Sequence, residues 1–172
     1  MNEPFLNARE HVAELLGIST FRLQHHGDTF IDHAWCADVL TAFHGAAVLG
    51  VARAVDISQE PWKPIWLRSA IGLVSASGTV ITSETKSIKT DLLLDADVTL
   101  DLFNAGESVS RDGVGYTLFV PHYDGSVTLR FANPDAAPYV ELESRLLRMS
   151  QSLASKSADE RLLAFISLWK TS

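Results

Sequence analysis

Near the N-terminus, Ala8, Val12, Leu15 and Leu16 recur at helical spacing and Gly17 follows as a stop, which predicts a helix over residues 7–16. Residues 20–23 and 29–35 are rich in β-branched and aromatic side chains, so they read as strands joined by a polar turn at His25, His26, Gly27 and Asp28. Residues 42–56 are apolar on nearly every side, with several Ala and two Gly that would allow close approach of other segments. This predicts an enclosed helix.

From residue 79 the pattern becomes that of strands, over 79–89, 97–103, 108–110, 114–120 and 126–131. Asp112-Gly113 and Asp124-Gly125 suit tight hairpins, so an antiparallel meander is expected. After Pro134 and Pro138 the helical period returns: Leu142, Leu146, Met149 and Leu153 form one stripe, and Leu162, Phe165, Ile166 and Trp169 another. Ser157 and Glu160 suggest a capping box for the second of these helices. Residues 60–77 give no clean assignment. The predicted class is α+β, with a main unit over 1–135 and a helical extension of the same domain over 136–172.

Composition narrows the choice of partners. The 172 residues are 47% hydrophobic and 20% charged, enough for a full core without staples. A formal charge of −7 repels a polyanion, which sets nucleic acid aside. A single cysteine, Cys36, excludes an intramolecular disulfide and cysteine-rich zinc sites, and fits a reducing, cytoplasmic setting. The start Met1-Asn2-Glu3-Pro4 is not that of a secretory signal. The most apolar window, 42–55, contains His44 and Arg53 and falls short of the roughly 20 residues that span a bilayer, so no membrane partner is expected.

The order of helix, hairpin, enclosed helix, antiparallel meander and helical tail resembles the hotdog fold, in which a bent antiparallel sheet wraps one central helix. Within it, Leu16-Gly17-Ile18 and the stretch Asp38-Val39-Leu40-Thr41-Ala42-Phe43-His44-Gly45-Ala46 resemble acyl-CoA thioesterases of the phenylacetate-pathway type. Those proteins carry an Asn or Asp ahead of a His-Gly-Gly step that opens the central helix. Gly106-Glu107-Ser108-Val109-Ser110 is similar to their Gly-x-Ser strand, and the likeness covers roughly residues 12–132. It implies a homodimer or dimer of dimers that binds an acyl thioester, on CoA or another carrier, and needs no cofactor. Two departures stand out. Arg53 occupies the position of the family's helix carboxylate, and Ala46 replaces the third motif residue.

On that resemblance, the amides of Gly45 and Ala46 at a helix N-terminus would form an oxyanion site, and Asp38 would activate water or attack directly. His44, Arg53, Trp66 and Ser108 would contact substrate, Arg53 through an anionic group such as a CoA phosphate. Plainer roles stand beside these: Asp38 as a helix cap, Arg53 offsetting a helix dipole, and Trp66 packing an irregular crossover. His25, His26, Asp28, Asp32, His33, Cys36 and Asp38 have metal-binding side chains, but their spacing fits no ligand pattern, so no metal site is expected. Cys36 reads as a buried small apolar residue. Loss of the carboxylate at Arg53 favours an alternative, a non-catalytic hotdog ligand-binding or assembly protein. A dehydratase or hydratase on the same scaffold would need a His and a carboxylate to converge.

Overall fold

In the computed structural model of the chain, the described residues are 3–41, 45–75, 78–85, 113–122, 125–157 and 159–171. Helix α1 (Glu3–Leu16) leads into β1 (Gln24–His26), β2 (Thr29–Thr41), β3 (Gly45–Asp56), β4 (Lys63–Ser75) and β5 (Gly78–Thr85). Strands β6 (Val114–His122) and β7 (Gly125–Ala132) follow, then helices α2 (Ala137–Ser157) and α3 (Glu160–Thr171). All strand pairs are antiparallel, in the order β5-β4-β3-β2-β6-β7, with β1 paired to β2. The α+β class with an antiparallel sheet and C-terminal helices is therefore observed.

The enclosed helix expected over 42–56 is instead strand β3, a correction with a clear physical cause. A continuous apolar run has the same hydropathy as a buried helix and as a strand covered on both faces. Here both faces are covered. Val48, Ala52 and Ala54 pack with Ala8, Val12 and Leu16 of α1, whereas Ala47, Leu49 and Val51 pack with Leu146, Leu153 and Phe165 of α2 and α3. The small residues serve this layering: a Cβ at Gly50 would lie 2.8 Å from Val12 Cγ1 and 2.7 Å from Phe21 Cζ. Glycine in the centre of β3 lets α1 and Phe21 seat against the sheet.

Helix α1 ends where Gly17 predicts. Gly17 has φ of +76°, its N–H donates to the Glu14 carbonyl, and the Ile18 N–H donates to the Ala13 carbonyl, a Schellman stop. Residues 20–23, expected to be a strand, form an irregular turn in which the Arg22 N–H donates to the Thr20 carbonyl, and burial of Phe21 beneath α1 fixes it. Pairing starts only at Gln24, so His25 and His26 lie in β1 and the turn is Gly27-Asp28. The unassigned stretch 60–77 supplies β4. Asp159, not Ser157, caps α3: its carboxylate accepts from the Arg161 N–H at 2.9 Å. The strands expected over 97–103 and 108–110 lie outside the described residues.

On the α2/α3 face, Tyr116 joins the layers. The Trp169 indole N–H donates to the Tyr116 hydroxyl at 2.6 Å, and that hydroxyl donates to Glu143 at 2.6 Å. Tyr116 also stacks on Phe131, with ring centroids 4.7 Å apart. Among the described residues, no helix is long and apolar enough to cross a membrane.

Candidate functional site: a groove between α1 and the open half of the sheet

Helix α1 packs over β3, β4 and β5, leaving the same face of β2, β6 and β7 less covered. Between the helix and those three strands lies a groove of about 1020 Å³. Its floor is fixed by alternation and register: Cys36, Asp38 and Leu40 on β2; Gly115, Thr117 and Phe119 on β6; Thr128, Arg130 and Ala132 on β7. The register sets these in three rows: Cys36 with Phe119 and Thr128, Asp38 with Thr117 and Arg130, and Leu40 with Gly115 and Ala132. One wall is α1, through Phe5, Leu6, Arg9, Glu10 and Ala13, and residues 19–22 close an end.

The middle row is polar. Arg9 Nε donates to Asp38 Oδ1 at 2.9 Å and Arg9 Nη2 donates to Oδ2 at 2.6 Å, so both carboxylate oxygens are engaged by one guanidinium. This hydrogen bonding raises the Arg9 pKa above its usual value, against burial. Arg22 and Arg130 also line the groove; both are exposed, and no described residue accepts a side-chain hydrogen bond from either. Cys36 is buried at the groove floor, and burial pushes its thiol up to about 12, which removes thiolate chemistry at neutral pH.

Among the described residues, the sequence-predicted site residues do not converge. Asp38 lines the groove, but as the ion-pair partner of Arg9. Gly45 and Ala46 open β3, in register with Thr41 and Leu40, and the Thr41 hydroxyl donates to the Gly45 carbonyl at 2.9 Å. They head no helix, so the amide pair at a helix N-terminus expected of them does not exist. Arg53 lies in β3 rather than in a helical turn, and its Nε donates to Asp32 at 3.0 Å. By alternation with Val51 it faces the α2/α3 side, opposite the groove. Trp66 packs with the α1-side core, and the Arg68 guanidinium sits 4.4 Å from its ring centroid; it does not line the groove. His44 and Ser108 lie outside the described residues.

The metal-type side chains are dispersed as well: His25 stacks on Phe30 and Asp32 pairs with Arg53. Among the described residues, no group of three or more His, Cys, Asp or Glu could hold a metal ion.

Arg9, Thr117 and Arg130 were missed, although two signals pointed to them. Phe5, Arg9 and Ala13 follow an i, i+4 spacing that places Arg9 beside the buried stripe of α1. The hairpin between β6 and β7 pairs His122 with Gly125, and counting back from there sets Thr117 opposite Arg130. Compared with family models, with curated proteins and with solved structures, the chain matches none.

Proposed function

We propose that this protein is a binding module for an amphipathic anion, held in the groove between α1 and strands β2, β6 and β7, and that it does not turn its ligand over. The observation that carries this reading is the pairing of an apolar lining, Phe5, Leu6, Leu40 and Phe119, with the exposed cations Arg22 and Arg130 in a protein of net charge −7. A concave, mostly apolar groove with a few placed polar groups is the usual form of a small-ligand site. Each arginine would contribute a charge-assisted hydrogen bond to the anion.

Acyl-CoA and other acyl thioesters remain within this ligand class. Hydrolysis fits the geometry less well, because Gly45 and Ala46 sit in the sheet and Arg9 occupies Asp38. A hotdog relationship would require α1 to stand as the central helix. His33, beside Arg53 in the register, and Asp38 lie on opposite faces of the sheet, so this pair lends no support to a dehydratase. Self-pairing is a second reading: β7 is an outer strand among the described residues, and its eight residues hold one charge and no proline.

Calorimetric titration with decanoate, decanoyl-CoA and decanol tests the reading. The two anions should bind, decanol should bind at least 10-fold more weakly, and Arg22→Gln with Arg130→Gln should erase that preference. Thiol release from decanoyl-CoA at a rate above buffer, or equal affinity for all three ligands, would overturn it.

A further inference from the structure

Among the described residues, Gly115 stands on the groove floor without a structural reason to be glycine. Its φ lies outside the left-handed region, and among those residues a Cβ added there would meet only the Leu40 carbonyl oxygen, at an ordinary 3.9 Å. Gly50, by contrast, is required by packing, and Gly17 by its positive φ. A glycine inside a strand weakens it and often marks a place where a ligand approaches the backbone closely.

The surroundings indicate what approaches. Gly115 lies between Leu40 and Ala132 in the register, so two adjacent strands offer almost no side chain at this level. Leu40 borders the gap at 53% exposure, and Leu6 of α1, at 45%, lines the same groove. Among the described residues, this level of the floor is therefore mostly backbone, with the apolar side chains of Leu40 and Leu6 lining the same groove. Two residues further along β6, about 6.6 Å away at strand spacing, Thr117 sits beside Arg130. A hydroxyl donor and a guanidinium are thus placed next to this level of the floor, while the neighbouring Asp38 is already neutralised by Arg9.

We infer that the groove takes a planar aromatic carboxylic acid as the free acid, its ring lying over Gly115 and Ala132 and its carboxylate held by Arg130 and Thr117. This rests on the binding-module reading above and narrows its ligand class. A thioester carbonyl at the same point carries no charge for Arg130 to pair with, so the free acid is favoured over its thioester. A flexible alkyl chain gains less from a floor of backbone than a rigid ring, because it must be ordered on binding.

The test uses 2-naphthoate, 2-naphthamide and decanoate against the wild-type protein and the variants Gly115→Val, Arg130→Gln and Thr117→Val. Wild type should bind 2-naphthoate at least 10-fold more tightly than the amide. Arg130→Gln should bring that ratio close to one, and Thr117→Val should reduce it. Gly115→Val should weaken naphthoate binding at least 10-fold with no fall in thermal stability, since among the described residues the space for a Cβ is open and valine suits a strand. The amide binding as tightly as the acid, or Gly115→Val binding naphthoate like wild type, would overturn the inference. If decanoate binds and naphthoate does not, the inference falls while the binding-module reading stands. If neither anion binds, both fall.

Discussion

Arg9 of α1 and Asp38 of β2, 29 positions apart in the chain, meet through two hydrogen bonds that engage both carboxylate oxygens. The pair ties the N-terminal helix to the strand at the border between the covered and open halves of the sheet. Among the described residues, Asp38 is the carboxylate on the groove floor, and Arg9 engages both of its oxygens.

Asp38→Asn should therefore act on stability rather than on turnover. The side chains are 17% and 14% exposed, so part of the cost of an unmatched Arg9 is met by solvent, and a loss of about 1–3 kcal/mol is expected. Urea unfolding measures it. Thiol release from a panel of acyl-CoA substrates should be the same, at the buffer rate, for variant and wild type.

Tyr116→Phe removes the hydroxyl that accepts from Trp169 and donates to Glu143. The Trp169 N–H is then left buried without its partner, a loss of about 1–3 kcal/mol. The variant should retain its far-UV circular dichroism and show a lower urea midpoint. Trp169→Phe, which removes the orphaned donor as well, should cost less in the Tyr116→Phe background than in wild type, a double-mutant cycle that reads the coupling.

Gly50→Ala should destabilise although alanine suits a strand better than glycine. The new Cβ would fall within 3 Å of both Val12 and Phe21, so α1 must shift off β3. About 1–3 kcal/mol is the usual range for such overpacking. Val12→Ala in the same chain should recover part of it, measured by the shift in melting temperature.

Burial and the nearby Arg53 guanidinium lower the pKa of His33. A lowered histidine pKa means that the unfolded chain takes up the proton first. The contribution is present above the ordinary value of about 6.5 and is lost as pH falls below it. The urea midpoint should drop between pH 7 and pH 5, and His33→Gln should flatten that drop. Cys36 works in the opposite pH range. With its thiol pushed up to about 12, its contribution is full below pH 9 and declines as pH rises towards 12. In the native protein at pH 8 a thiol-specific disulfide reagent should leave Cys36 unmodified, with labelling only after unfolding.

Local chemistry set much of this fold in advance. The period of α1 and its Gly17 stop, the antiparallel hairpin of β6 and β7, and the apolar stripes of α2 and α3 each depend on neighbours a few residues away, which the sequence displays directly. The burial of Cys36 was legible there as well, since a lone small apolar side chain in a strand-like run is most simply satisfied inside the core. What the sequence could not decide was whether residues 45–56 coil or extend, because an apolar run is equally satisfied inside a helix or between two layers of helices. Only the tertiary arrangement, with α1 on one face and α2 and α3 on the other, makes the strand the lower-energy choice. That one decision took Gly45 and Ala46 out of a helix N-terminus and turned Arg53 away from Asp38. The groove was hidden for a related reason: the hairpin turn sets Thr117 opposite Arg130, but Asp38 reaches them only through the pairing of β2 with β6, and Arg9 only through the packing of α1, both of which are long-range.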